Sequence, residues 1–419
     1  MTTSTDDSRV NDANDVAELA QTGPDTIAGR YFRRFWLPVA EVRDVAPGRA
    51  KAIQVLGQQF TLYRGVTGDP HLVDYFCAHR SSPLFTGHVE GDCIRCFYHG
   101  WMYDAAGQCV EQPAEDAAFA AKVRVAGYPV RVHQGLVFAY LGDGEPPAFQ
   151  MLARFSAPGF NGTSSYVRKT NYLNSLENSV DYTHPFFVHK NSEFTGVGVN
   201  REIPRVAAVE TEYGIAGKKL YSDGKAQINH ILFPLSALIV NVEGTTTFDH
   251  LAWRIPIDDY SHRTFMLNHG DLAGAELERF QAAHAKRNEA LKTLEPQADV
   301  VAAIFRGDVY VDDVDITRPD IISIQDSVAM ELQPPIGQRR PDRLGRGDLA
   351  IIMAYEQVPV SLIPHRQHIT VQVNGEEGIT ANNTNKIRQV QTFITPNLDE
   401  LGQPENNRFA EIYRSVENL

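Results

Sequence analysis

Cysteine is scarce in this chain of 419 residues: there are four, Cys77, Cys93, Cys96 and Cys109, all within one short region. That rules out a disulfide framework for a protein of this size and implies a reducing, cytoplasmic setting. Long apolar runs are missing too, and no stretch reaches the length of a membrane span. The opening MTTSTDDSRVNDANDVAEL is polar and acidic, without the cationic start and apolar centre of a secretory or transit leader. Basic charge is in deficit, with 39 Lys and Arg against 52 Asp and Glu and a formal net charge of -13, so nucleic acid is not an expected partner. No internal repeat or low-complexity tract is visible. No Gly-x-Gly-x-x-Gly follows a strand, and GVGVN at 196–200 lacks the spacing of a dinucleotide loop.

The texture of the chain changes near its first third. Residues 1–29 read as a flexible arm with a short helix at Val16 to Ala20. From Lys51 to Gly142 come short β-type runs (AIQVLG, QFTLYRG, HLVDYF, YPVRV, LVFAYLG) separated by Gly, Pro and Asp, and GDGEPPAF is the natural linker. The expected division is therefore a β domain over 30–149 and a mixed α+β domain over 150–419. In the second, QINHILFPLSALIVNV, HLAWRIPI and RTFMLNH read as strands. Leu277, Phe280, Leu291 and Leu294 form one helical stripe, and Phe409, Ile412, Tyr413 and Val416 another, both expected to face the core.

The chemistry begins in CAHRSSPLFTGHVEGDCIRCFYHGW, where Cys77 and His79 are followed by Cys96 and His99. A zinc site usually groups its cysteines in close pairs, or places two cysteines before two histidines. Two hairpin tips, each offering one Cys and one His, can instead place both thiolates on one iron and both imidazoles on a second. The motif resembles that of the Rieske family, and Gly100 and Trp101 behind the last ligand strengthen the likeness. One departure is Ser81, where the family usually has Gly after the Arg that follows the first His. Cys93 and Cys109 have no motif position and read as buried structural thiols.

A cluster that moves one electron at a time needs an acceptor, and NYLNSLENSVDYTHPFFVHKNSEF offers one. His184 and His189 are five apart, about 140° around a regular helix, which would not aim both at one metal. Pro185 disfavours helical geometry at His184, so a helix from about Asn171 should end there and turn, bringing His189 back. Asp181 stands three residues before His184, where its carboxylate can hold the imidazole tautomer. From residue types alone, a chance pairing of two histidines stays open.

E-N-x-x-D-x-x-H-P-x-x-x-H after a Rieske motif resembles the catalytic domain of Rieske non-heme iron oxygenases. The resemblance implies a mononuclear Fe(II) in a two-His, one-carboxylate triad, with His184 and His189 as the histidines and Asp181 as the acid linking the iron to a Rieske histidine. Asp326 is the implied third ligand, because IISIQDSVAMELQPPIGQRRPDRLGRGD resembles the Gln-Asp, Pro-Ile-x-x-Arg and Leu-Gly pattern of the phthalate dioxygenase-like and aryl-ether O-demethylase-like subgroup. Asp313, Asp315 and Asp320 are its rivals, each readable as a surface or capping acid. The implied fold is α+β: an N-terminal all-β Rieske [2Fe-2S] domain, then a helix-grip (START-like) catalytic domain with an antiparallel sheet, assembled as a homotrimer.

The implied activity is that of a terminal oxygenase, using O2 on an aromatic substrate. Two of four cysteines go to the cluster, too few remain for a second, and no nucleotide loop is present, so NAD(P)H acts only through a separate flavin reductase, with or without a ferredoxin. The basic run QRRPDRLGR can dock such a donor or be an ion-paired face. CFYHGW and GQCVEQPAED look most like oxygenases that demethylate lignin-derived aryl ethers, making O-demethylation the first expectation and ring hydroxylation or cis-dihydroxylation of an aryl carboxylate or diaryl ether the alternative. A Rieske electron carrier without oxygenase activity is the reading from another class; it needs two irons per chain rather than three. Leu238, Val240, Phe248 and Trp253 can line an apolar pocket or simply pack in the core.

Overall fold

Short runs rich in β-branched and aromatic residues, punctuated by glycine turns, become strands. In the computed structural model the described residues are 17–190, 202–211, 214–224, 226–240, 248–340, 342–357, 372–373 and 376–377. They fall into two compact units: the described parts of Gln21–Phe149 with Ile255–Phe265, and of Met1–Ala20, Gln150–Arg254 and Met266–Leu419.

The first unit opens with helix α1 (Ile27–Phe32), whose cap Thr26 accepts a hydrogen bond from the Gly29 N–H at 3.0 Å. Its strands are β1 (Trp36–Glu41), β2 (Ala50–Val55), β3 (Gln58–Arg64), β4 (Pro70–Asp74), β5 (His88–Glu90), β6 (Cys93–Arg95), β7 (Met102–Tyr103), β8 (Cys109–Glu111), β9 (Gly127–Tyr128), β10 (Val130–His133) and β11 (Leu136–Tyr140), with the one-turn helix α2 (Ala117–Ala120) between β8 and β9. They make sheets of order β1-β11-β10, β2-β3-β4-β9 and β5-β6-β7-β8. Tyr63, Val73, Leu84, Ile94, Trp101 and Tyr103 pack with Cys77, Cys96 and Cys109 in one core, so the motif cysteines are embedded in it. Of the two cysteines outside the motif, Cys109 is buried as expected, but Cys93, the first residue of the inner strand β6, is half-buried.

The second unit is α+β. Its strands are β12 (Phe160–Arg168), β13 (Arg205–Thr211), β14 (Gly214–Leu220), β15 (Ala226–Leu232), β16 (Ser236–Val240), β17 (Asp249–Asp258) and β18 (Ser261–Gly270), in the order β12-β18-β17-β16-β15-β14-β13. The recorded registers from β13 to β17 are all antiparallel, Gly217 opposite Asn229 and Leu238 opposite Leu251 among them. Helices α3 (Tyr172–Val180) and α4 (His184–Val188) fall between β12 and β13; α5 (Gly274–Thr293), α6 (Gln297–Arg306), α7 (Ile321–Glu331) and α8 (Leu349–Gln357) follow the sheet. Helix α3 lies against β15 and β16, α8 against β13 and β14, and α6 and α7 share a core of Val300, Val301, Val314, Ile321 and Ile324.

Two expectations need correction. Helix α5 has no fully buried residue: its stripe of Leu277, Phe280 and Leu291 is only half covered, although Phe280 packs on Phe160 and Phe248 at 4.7 and 4.6 Å. Periodicity marks an apolar face but not how much of it another element reaches. The helix expected to run from Asn171 to His184 stops at Val180, and Pro185 opens a second short helix instead of closing the first. A proline in a first helical turn loses no hydrogen bond, which is why both arrangements satisfy the same residue. The Phe409–Val416 stripe lies outside the described residues.

Candidate metal centres

Cys77 and Cys96 begin two loops of the same construction. The Cys77 carbonyl accepts from the Ser81 N–H at 3.0 Å while its own N–H donates to Ser82; the Cys96 carbonyl accepts from Gly100 at 3.0 Å while its N–H donates to Trp101. The fifth residue of each loop is left-handed, with φ of 54° at Ser81 and 75° at Gly100. Ser81 therefore adopts the glycine-like conformation itself, at a strain of about 1–2 kcal/mol for an L-residue. Both cysteines are buried, whereas His79 and His99 are exposed, with their rings meeting edge to face at 4.5 Å and Trp101 stacked on His79 at 4.4 Å. Inner thiols and outer imidazoles fit a two-iron cluster whose buried iron takes sulfur and whose outer iron takes nitrogen. The Tyr103 hydroxyl, 3.1 Å from the Cys77 sulfur, is the further polar group at that inner end.

In the second unit, Asn171 caps α3 by accepting from the Leu173 N–H, and Asp181 closes it. Asp181 then turns the chain: Oδ1 accepts from the N–H groups of Thr183 and His184 at 2.9 and 3.2 Å, and Oδ2 lies 3.5 Å from His184 Nδ1. Burial opposes its charge, yet these hydrogen bonds and His184 outweigh it and hold the carboxyl below the ordinary range. His184 heads α4 while His189 leaves it, at φ -105° and ψ 13°. That exit from helical geometry removes the angular mismatch, and the two rings stand 5.4 Å apart.

Asp326 comes from α7. Its Oδ1 is 3.3 Å from His189 Nε2 and 3.8 Å from His184 Nε2. The donor atoms of His184, His189 and Asp326 lie within 4.8 Å of one another, the only such His, Cys, Asp or Glu trio among the described residues. The His189 approach does not meet hydrogen-bond geometry, so Oδ1 is a buried acceptor without a donor. Two imidazole nitrogens and an orphaned carboxylate oxygen converging on one point are the donor set of a facial triad. Burial would protonate Asp326, but His189, Arg168 and His184 prevail and keep it below the usual carboxylate range. The rivals are occupied elsewhere: Asp320 pairs with Arg318 at 3.0 Å, Asp315 caps Thr317, and Asp313 ends a 3-10 turn.

Sequence reasoning passed over three neighbours. Gln325 Oε1 lies 2.9 Å from His189 Nδ1, Asn178 Nδ2 lies 3.3 Å from His184 Nε2, and Arg168 lies 4.0 Å from Asp326. Asn178 lies in the E-N-x-x-D-x-x-H-P-x-x-x-H stretch and Gln325 precedes Asp326, whereas Arg168, at the end of a strand, carries no local signal. In the basic run, Arg339 is ion-paired with Glu177 and Asp342. Phe248 packs in the aromatic cluster with Phe160, and Leu238 is buried.

The Rieske [2Fe-2S] domain family matches residues 35–129. The 5,5'-dehydrodivanillate O-demethylase oxygenase subunit of Sphingobium sp. (strain NBRC 103272 / SYK-6) is 32% identical over 253 residues, which are 58% of this chain and 59% of that protein's length. The phthalate 4,5-dioxygenase oxygenase subunit of Pseudomonas putida is 25% identical over 428 residues, covering 91% of this chain and 92% of that one. Among solved structures, the terminal oxygenase of carbazole 1,9a-dioxygenase from Novosphingobium sp. KA1 superposes with a TM-score of 0.57 at 21% identity, over 84% of this chain and 97% of that one, a likeness of fold. Among the described residues, no helix is long and apolar enough to cross a membrane.

Proposed function

The chain belongs to the Rieske non-heme iron oxygenases, and on that premise we propose that it is a terminal oxygenase that removes the methyl group of a lignin-derived methoxylated aryl acid or biaryl, releasing formaldehyde. The observation that carries this reading is the convergence of His184, His189 and Asp326 in the same chain as a Rieske domain. Iron on those three side chains would supply O2 activation, and the cluster on Cys77, His79, Cys96 and His99 would supply single electrons.

The residues themselves orient the site. Asp181 faces His184 Nδ1 and Gln325 faces His189 Nδ1, which in this reading puts a proton on each Nδ1 and gives each Nε2 a lone pair for a metal, the Asn178 amide that stands 3.3 Å from His184 Nε2 giving way to it. Asp181 also links this site to a Rieske histidine of a neighbouring subunit in a homotrimer. Electrons come from NAD(P)H through a separate flavin reductase, with or without a ferredoxin.

The O-demethylase likeness favours demethylation, whereas the longer match to the phthalate dioxygenase subunit supports ring hydroxylation as the second reading. The test uses iron-reconstituted protein, a surrogate NADH-driven reductase and a panel of methoxylated aryl acids and biaryls. Formaldehyde stoichiometric with a phenolic product is expected. Substrate-dependent O2 uptake without formaldehyde would move the assignment to ring hydroxylation.

A further inference from the structure

Arg168 is the last residue of β12 and is only 2% exposed. An arginine stays charged wherever it is buried, and a buried charge needs a counter-charge. Its hydrogen bonds all go to neutral oxygens, and they are long: Nε to Ser327 Oγ at 3.3 Å, Nη1 to Ser175 Oγ at 3.5 Å, and Nη2 to the Ser323 carbonyl and hydroxyl at 3.4 and 3.5 Å. The Tyr166 ring lies 5.2 Å from the guanidinium carbon. Among the described residues, the one carboxylate within ion-pair reach is Asp326, whose Oδ2 is 4.0 Å from Nη2.

Ser323, Asp326 and Ser327 share one face of α7, the face Arg168 covers. The two oxygens of Asp326 therefore keep different company: Oδ1 turns toward His184 and His189, Oδ2 toward the guanidinium. The geometry points to Arg168 as a positioning residue that retains Oδ2 of Asp326, so that the carboxylate offers a metal one oxygen and leaves the neighbouring coordination positions open. The serine hydroxyls hold the guanidinium in place. This inference rests on the reading that His184, His189 and Asp326 hold iron.

The test compares wild type, Arg168→Lys and Arg168→Met by chelator competition for Fe(II) and by electron paramagnetic resonance of the nitric oxide adduct of that iron. Arg168→Met should bind Fe(II) about 10–100-fold more weakly, as outer-shell losses do. Its adduct should change in rhombicity, because Oδ2 is free to swing onto the metal. Arg168→Lys, which keeps the charge, should stay nearer wild type, and cluster iron and sulfide should be unchanged in all three.

Wild-type affinity and an unaltered adduct in Arg168→Met overturn the inference. Should Arg168→Met not fold, Arg168→Met with Asp326→Asn, which removes both charges, should restore soluble, cluster-loaded protein; failure to do so overturns it as well. A wild-type chain without a third iron sinks the underlying reading, whereas normal iron binding that ignores Arg168 sinks only this step.

Discussion

The four candidate cluster ligands lie between Cys77 and His99, on two loops that close through their own backbone hydrogen bonds, whereas the candidate iron ligands come from α4 and, after six strands of the sheet, from α7. One centre is a local object repeated twice. The other exists only when α7 docks, with Arg168 and Gln325 behind Asp326 and His189. A short-range loop needs little beyond its own residues to keep its shape, while a long-range triad transmits any packing change directly to its donors. The centres should therefore fail independently, and for different reasons.

The sharpest way to break the comparison is His189→Ala. Iron should fall from about three to about two atoms per chain, and product formation should vanish, while acid-labile sulfide and the visible absorbance of the cluster persist. Loss of sulfide along with the third iron would show the centres to be coupled in folding.

Asp181→Asn comes next. It should retain both metals, because Asp181 touches His184 without belonging to the converging trio, yet lower turnover by roughly 10–100-fold through a misoriented imidazole and a weakened link. Turnover equal to wild type in a stopped-flow assay with the surrogate reductase would remove Asp181 from the scheme.

The smallest effects compare the two loops with each other. Gly100→Ala places a methyl group in the left-handed region and 3.2 Å from Pro113, so it should destabilise the first unit by about 1–2 kcal/mol. Ser81→Gly relieves that strain in the other loop but gains unfolded-chain entropy, leaving a stabilisation of about 0.5 kcal/mol or less. Thermal unfolding of cluster-loaded protein reads both. A destabilised Ser81→Gly would mean that the serine side chain contributes more than its backbone strain takes away.

Much of this was legible in the linear chain because the physics is local. Cysteine and histidine at hairpin tips, Asn171 before a helix and short β runs between glycines all act within a few residues. The α+β organisation followed from where those textures change. What could not be read were distances between elements. The apolar stripe of α5 announced a face but not that it would be only half covered, and the end of α3 moved because Asp181 caps the next turn through its own side chain.

Asp326 marks the boundary most clearly. Its residue type and the adjacent glutamine were visible, and family likeness singled it out, but nothing in spacing distinguished it from Asp313, Asp315 or Asp320. The tertiary structure separates them by burial and company: Asp320 has Arg318, whereas Asp326 has two imidazoles on one oxygen and a buried guanidinium on the other. By itself, the sequence determined the candidate ligand types, the two loops and the order of the domains, since bond geometry and nearest-neighbour hydrogen bonding act along the chain. Only the tertiary structure decided which acid completes the trio and which arginine stands behind it, because burial and charge pairing depend on what the fold brings close.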